Sequence, residues 1–171
     1  MKKIILLVIL FALVAQAKGI RRTGSLVELG PKASFYIGED VYFGIGGECV
    51  VNPVKSFGIR LNITEVIFGN GTEFYLNSGG IAFSGMSFDG LFYIPMAGIE
   101  PYVHGGFGFD IFDPSGPADT HTFFSFRFGM GLNYSINPST KVFVEPGIIL
   151  YDAGNTETMF RLSFGARFGI L

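Results

Sequence analysis

The sequence predicts an all-β protein: an antiparallel up-and-down transmembrane β-barrel of eight strands. Three observations carry that prediction. The chain is 49% hydrophobic and only 15% charged, with 25 Gly, 20 Phe and no Trp. Beyond the first seventeen residues, however, no segment is apolar enough to cross a membrane as a helix. The apolar residues are instead interleaved with small and polar ones at period two, the spacing of side chains on opposite faces of a strand. That alternation returns about eight times, each time between turn-forming residues, which is the pattern of a barrel with an apolar outer and a polar inner face.

The chain opens with Met1-Lys2-Lys3, an apolar run at 4–14, and Ala15-Gln16-Ala17. A basic start, a short apolar segment and small residues before the cut form a secretory signal peptide, residues 1–17, too short to span a bilayer. Residues 18–171 then form a single barrel domain. Without Lys2 and Lys3 that domain has ten basic and fourteen acidic residues, a net charge of −4. This balance gives no electrostatic footprint for nucleic acid. Cys49 is the sole cysteine, so no internal disulfide forms, and it reads as a small hydrophobe.

The strands follow in order. Residues 25–37 set Val27, Leu29, Ala33, Phe35 and Ile37 against Glu28, Lys32 and Ser34, and 38–40 turn the chain. Residues 41–52 set Phe43, Ile45, Cys49 and Val51 against Tyr42, Gly44 and Glu48, ending in the turn dipeptide Asn52-Pro53. Residues 56–68 set Phe57, Ile59, Leu61, Ile63 and Ile67 against Arg60, Asn62 and Thr64. Residues 69–79 read as an extended loop or strand overhang, followed by a fourth strand at 80–94 with Phe88 and Phe92 opposing Asp89 and Leu91. Asn70-Gly71 is also a hairpin dipeptide, so ten strands remain an alternative there.

The fifth strand, 100–112, sets Val103, Phe107, Phe109 and Ile111 against Glu100, Tyr102, His104 and Asp110. Residues 113–121 form an exposed loop by composition. The sixth, 122–136, alternates most regularly, with Phe124, Phe126, Phe128, Met130, Leu132 and Tyr134 against Ser125, Arg127 and Asn133. After the turn at Asn137-Pro138 come 140–151, with Lys141 and Glu145 inward. The last strand, 157–171, has Phe160, Phe164 and Phe168 out and Arg161, Ser163 and Arg167 in. Pro31 and Pro146 fall inside strands, where a missing N–H breaks the ladder, and a bulge or early strand irregularity is expected at each. Six tyrosines (36, 42, 93, 102, 134 and 151) lie near strand ends, as in interfacial aromatic girdles, yet parity points only Tyr134 outward.

An even strand count puts both chain ends on the periplasmic side of a bacterial barrel. The proline turns then share that side with Lys18, Arg21, Arg22 and Lys55. The opposite connections carry Glu39, Asp40, Glu73, Asp113, Asp119 and Asp152, which could meet divalent cations bridging lipid head groups. The inward positions collect Glu28, Lys32, Glu48, Arg60, Asp89, Glu100, His104, Asp110, Arg127, Lys141, Glu145, Arg161 and Arg167. Buried charge persists when it is paired, so six bases and six acids read as an internal salt-bridge network. An eight-stranded barrel is about wide enough for its side chains to fill, which disfavours a wide pore. No catalytic constellation emerges: His104 has no neighbouring Ser, and loop residue His121, beside Thr122 and near Ser125, has no orienting carboxylate. Neither metal-ligand spacing nor a cofactor motif is present.

On these features the chain resembles the small outer-membrane β-barrel proteins of the OmpA/OmpX type over nearly all of residues 25–171. In the last strand, Ser163, Gly165, Phe168 and Ile170 look like the polar-x-Gly-x-x-hydrophobic-x-hydrophobic signal read by the barrel-assembly machinery. The chain departs from the common form by ending in Leu171 rather than an aromatic residue. The resemblance implies a monomer in the bacterial outer membrane, with outer-membrane lipids and the assembly machinery as partners. The role it implies is non-enzymatic, in envelope integrity or surface interaction. An outer-leaflet lipid-modifying enzyme, a small porin and a secreted lipocalin-like lipid binder are the alternatives.

Overall fold

The computed structural model describes residues 25–38, 41–69, 86–94, 96, 99–112, 121–152 and 156–170. The expected signal peptide, residues 70–85, and most of the connections carrying acidic residues lie outside them. Eight strands form one sheet: β1 (Val27–Ile37), β2 (Val41–Val54), β3 (Phe57–Gly69), β4 (Met86–Tyr93), β5 (Ile99–Phe112), β6 (His121–Asn137), β7 (Thr140–Asp152) and β8 (Thr156–Gly169). Each pairs antiparallel with its sequence neighbour, and β8 pairs with β1, so the sheet closes as a barrel with eight strands rather than ten.

The stagger follows from the register. Partners run Val27, Val51, Ile59, Gly90, Gly105, Phe128, Ile148, Phe160 and back to β1 at Ile37, ten residues beyond the start. A stagger of that size over eight strands tilts them by roughly 40°, within the range of closed barrels. The interior is then narrow enough for long side chains from facing strands to meet.

The alternation sorts the side chains into two environments. Outward residues, among them Phe35, Ile45, Ile59, Phe88, Val103, Phe107, Phe126, Met130 and Phe164, are exposed. Inward residues such as Lys32, Glu48, Arg60, Arg127 and Arg161 are buried. This inverts a water-soluble domain, whose surface rarely carries a contiguous apolar patch above a few hundred Å². Lipid is the solvent that fits such an exterior. Rings pack across strands on this face, as in Phe88–Phe107 (centroids 5.9 Å apart) and Phe109–Phe124 (5.6 Å).

Several details differ from the sequence reading. Asn52 and Pro53 belong to β2, and the turn is made by Lys55 and Ser56. A register shift between Val51 and Val54 absorbs Pro53, so its missing N–H falls where pairing is already interrupted. Of the two courses expected, Pro31 and Pro146 both take an irregularity rather than a bulge: ladder pairs are missing beside them while the register stays continuous. A shift not foreseen separates the pairs Ile45–Val66 and Gly47–Ile63, giving β3 one extra residue. His121 opens β6 opposite Phe112 instead of lying in a loop. Among the described tyrosine side chains parity holds: Tyr36, Tyr93, Tyr102 and Tyr151 are buried inside and Tyr134 faces out, so these do not form a girdle.

Candidate functional site

The concentrated chemistry lies in the lumen. Of the thirteen charged residues and histidine assigned there by parity, twelve are buried, at most 5% exposed. The side chain of the thirteenth, Asp110, lies outside the described set. Every strand contributes at least one member, because each inward face places a polar residue near mid-barrel.

Glu145 on β7 is the hub. Its Oε2 accepts hydrogen bonds from Arg60 on β3 and from the Tyr102 hydroxyl on β5 (2.7 Å). Its Oε1 accepts from Arg161 Nη2 on β8 (2.7 Å), with His104 Nε2 3.3 Å away. Arg60 reaches further: Nε lies 2.9 Å and Nη2 2.8 Å from Asp89 Oδ2 on β4, and Nη1 lies 3.4 Å from Glu48 Oε2 on β2. Glu48 in turn accepts from Arg167 Nε. One carboxylate and one guanidinium thus bridge six strands, β2 to β5, β7 and β8.

Two branches extend this core. Toward the chain ends, Arg167 Nη1 donates to Asn133 Oδ1 (2.8 Å), and Asn133 Nδ2 donates to Glu100 Oε1 (3.1 Å). Lys141 Nζ then lies 3.4 Å from Glu100 and 3.0 Å from Glu28. Toward the connections opposite the chain ends, Asn62 Nδ2 donates to Asp89 Oδ2 (2.9 Å) and Ser87 Oγ (2.5 Å), while Lys32 Nζ donates to Asn62 Oδ1 (2.8 Å). Arg127 joins through Ser87 and Ser125, both at 3.4 Å. The uncharged members Asn62, Ser87, Tyr102, Ser125 and Asn133 were not among the predicted site residues, although inward parity and a polar side chain would have found them.

Aromatic and aliphatic side chains complete the filling. Val50, Leu91, Tyr93 and Tyr102 form a buried cluster on the side of the chain ends. Tyr36, Ile149 and Tyr151 form another, with Met159 packed against it. The Arg167 guanidinium carbon sits 4.3 Å from the Phe143 ring centroid and 5.2 Å from that of Tyr102, within cation–π range. Inward glycines make room for these groups. A Cβ at Gly131 would lie 2.2 Å from Tyr102 Cζ, inside its ring. Gly131→Val should therefore displace Tyr102 from Glu145 and destabilise the barrel by about 1–3 kcal/mol, the usual cost of overpacking. Urea titration of the refolded barrel, followed by tyrosine fluorescence, would check this.

The predicted assembly residues divide by face. Ser163 is buried and shares a 2.8 Å hydrogen bond with Ser34 across the β1–β8 seam. Gly165 pairs with Lys32. Phe168 and Ile170 are exposed on the apolar exterior. Among the described residues, no group of three or more His, Cys, Asp or Glu is arranged to hold a metal ion.

No protein-family model matches the sequence, and no curated protein matches it. Solved structures do match. The N-terminal β-barrel domain of Pseudomonas aeruginosa OprF is similar with a TM-score of 0.51 and 15% identity, over 82% of this chain and 97% of that one. A de novo designed transmembrane β-barrel is similar at 0.50 with 11% identity, over 89% and 100%. The fold is that of the small outer-membrane barrels of the OmpA/OmpX type. Ail, the attachment invasion locus protein of Yersinia pestis, overlays at 0.48 with 14% identity, over 83% and 95%.

Proposed function

We propose that this chain is a monomeric, integral outer-membrane protein that acts as a sealed, non-enzymatic element of the envelope. The observation that supports this reading is the lumen itself. Arg60, Glu48, Asp89 and Glu145, from four strands, have fully buried side chains and bond one another across the barrel. Such a cross-section holds its charges by pairing and offers them no water-filled route. In this reading residues 1–17 direct export. Ser163, Gly165, Phe168 and Ile170 present the last strand to the assembly machinery, and the apolar exterior binds outer-membrane lipid. The connections between strands are left for envelope or surface contacts.

Two measurements test the proposal. The membrane-extracted protein should migrate faster on a denaturing gel unheated than boiled, the mark of a closed barrel that resists detergent. In planar bilayers it should show no sustained ion conductance. A stable open channel would refute the seal, and recovery in the aqueous fraction without detergent would refute the membrane location. Against the enzymatic alternative, His121→Ala should leave membrane lipid composition unchanged.

A further inference from the structure

We infer that the β7–β8 hairpin is a separable unit of the barrel, bounded on both sides by proline-opened seams and latched by side chains across the lumen. The hairpin's own ladder is unbroken, from Asp152–Thr156 at the tip to Thr140–Phe168 at the base. Its two outer seams are not. On the β1 side the pairs jump from Leu29–Phe168 to Lys32–Gly165, leaving Gly30 and Pro31 unpaired with β8. On the β6 side they jump from Gly129–Gly147 to Leu132–Val144, omitting the pair that Pro146 would make with Met130.

The two interruptions are built alike. In each, the residue after the proline pairs with a glycine of the neighbouring strand: Lys32 with Gly165, and Gly147 with Gly129. In each, the proline carbonyl oxygen stands where that glycine's Cβ would be, 2.3 Å away for Pro31 and 2.5 Å for Pro146. Proline supplies no N–H to the ladder, yet on its other side each proline stays paired. Pro31 pairs with Gly47 on β2, and Pro146 with Leu162 inside the hairpin. Among the described residues these are the two seams that open in mid-strand without a change of register. They flank one hairpin.

What the seams lose is replaced from within. Glu145 ties the hairpin to Arg60 and Tyr102, Arg167 ties it to Glu48, and Lys141 ties it to Glu28. The hairpin is thus secured by ionic contacts to β1, β2, β3 and β5 where its backbone contacts to β1 and β6 are thinnest. Local opening follows the weakest set of contacts, so the hairpin parts from β1 and β6 before its own two strands part.

Hydrogen exchange on the full mature barrel in detergent micelles tests this. Amides of β1 and β6 that face the hairpin should exchange about tenfold faster than those between β7 and β8, a difference worth one net hydrogen bond. Exchange between β7 and β8 at the seam rate would overturn the inference, as would equally fast exchange between β5 and β6. Pro31→Ala with Pro146→Ala restores both N–H groups and should slow the seams to the rate of the β5–β6 ladder. Unchanged seam exchange in a folded double variant would also overturn it. If that variant does not fold, the unmodified protein still decides between the outcomes.

Discussion

Glu145→Ala should cost the barrel about 3–5 kcal/mol of stability, the price of breaking a buried ionic network by removing one partner. The size comes from what is left behind. Arg60 and Arg161 have side chains at most 1% exposed, and both direct a guanidinium at Glu145. Without the carboxylate, Arg60 keeps Asp89 and Glu48, whereas Arg161 loses the only ion pair found for it among the described residues. The Tyr102 hydroxyl loses its acceptor as well. Glu145→Gln keeps the shape and an acceptor for Tyr102 but removes the charge, so it should fall between the native protein and the alanine variant. Adding Arg161→Met to Glu145→Ala should recover part of the loss, since an apolar group of similar length leaves no unpaired charge. Equilibrium unfolding in urea, with the barrel refolded into vesicles, gives all three values. A loss below about 1 kcal/mol for Glu145→Ala, the size of an exposed pair, would mean that water reaches the site and that the lumen is not sealed.

The fold was legible because parity survives almost everywhere. Two-residue alternation needs no tertiary information, so placing Arg127 inward and Phe126 and Phe128 outward follows from one strand alone. Register is different. The sequence reading put the second turn at Asn52-Pro53, but Asn52 instead donates to the Ser25 carbonyl oxygen and accepts from the Tyr93 hydroxyl, which holds it within β2. Those partners are distant in sequence, so no local dipeptide rule could have found them. At Pro31 and Pro146 the sequence predicts an interruption, a bulge or another irregularity, because proline breaks a ladder, but not which of the two. The chain leaves pairs open and keeps its register, a choice set by the close-approaching Gly129 and Gly165 of the neighbouring strands. The hub could not be singled out either. Glu28, Glu48, Glu100 and Glu145 all have inward parity, and only the stagger of the closed barrel brings Arg60, Tyr102 and Arg161 together at Glu145.

The exterior can be tested by depth. Phe128 lies near the middle of β6 and Ile136 near its end, both outward, 44% and 59% exposed. If that face meets lipid, Phe128→Arg should cost about 2–4 kcal/mol, because the guanidinium sits near the midplane, and Ile136→Arg only about 0–1 kcal/mol at the interface. In water the two substitutions would behave alike: each replaces an exposed apolar side chain and should change stability by less than about 0.5 kcal/mol. The contrast between the sites, more than either value, therefore reports the solvent. It is also independent of the ionic core, since neither side chain enters the lumen. Urea unfolding of both variants in vesicles measures it. Equal, small effects at the two positions would mean that water surrounds these strands, whereas a steep dependence on depth requires a hydrocarbon layer around them.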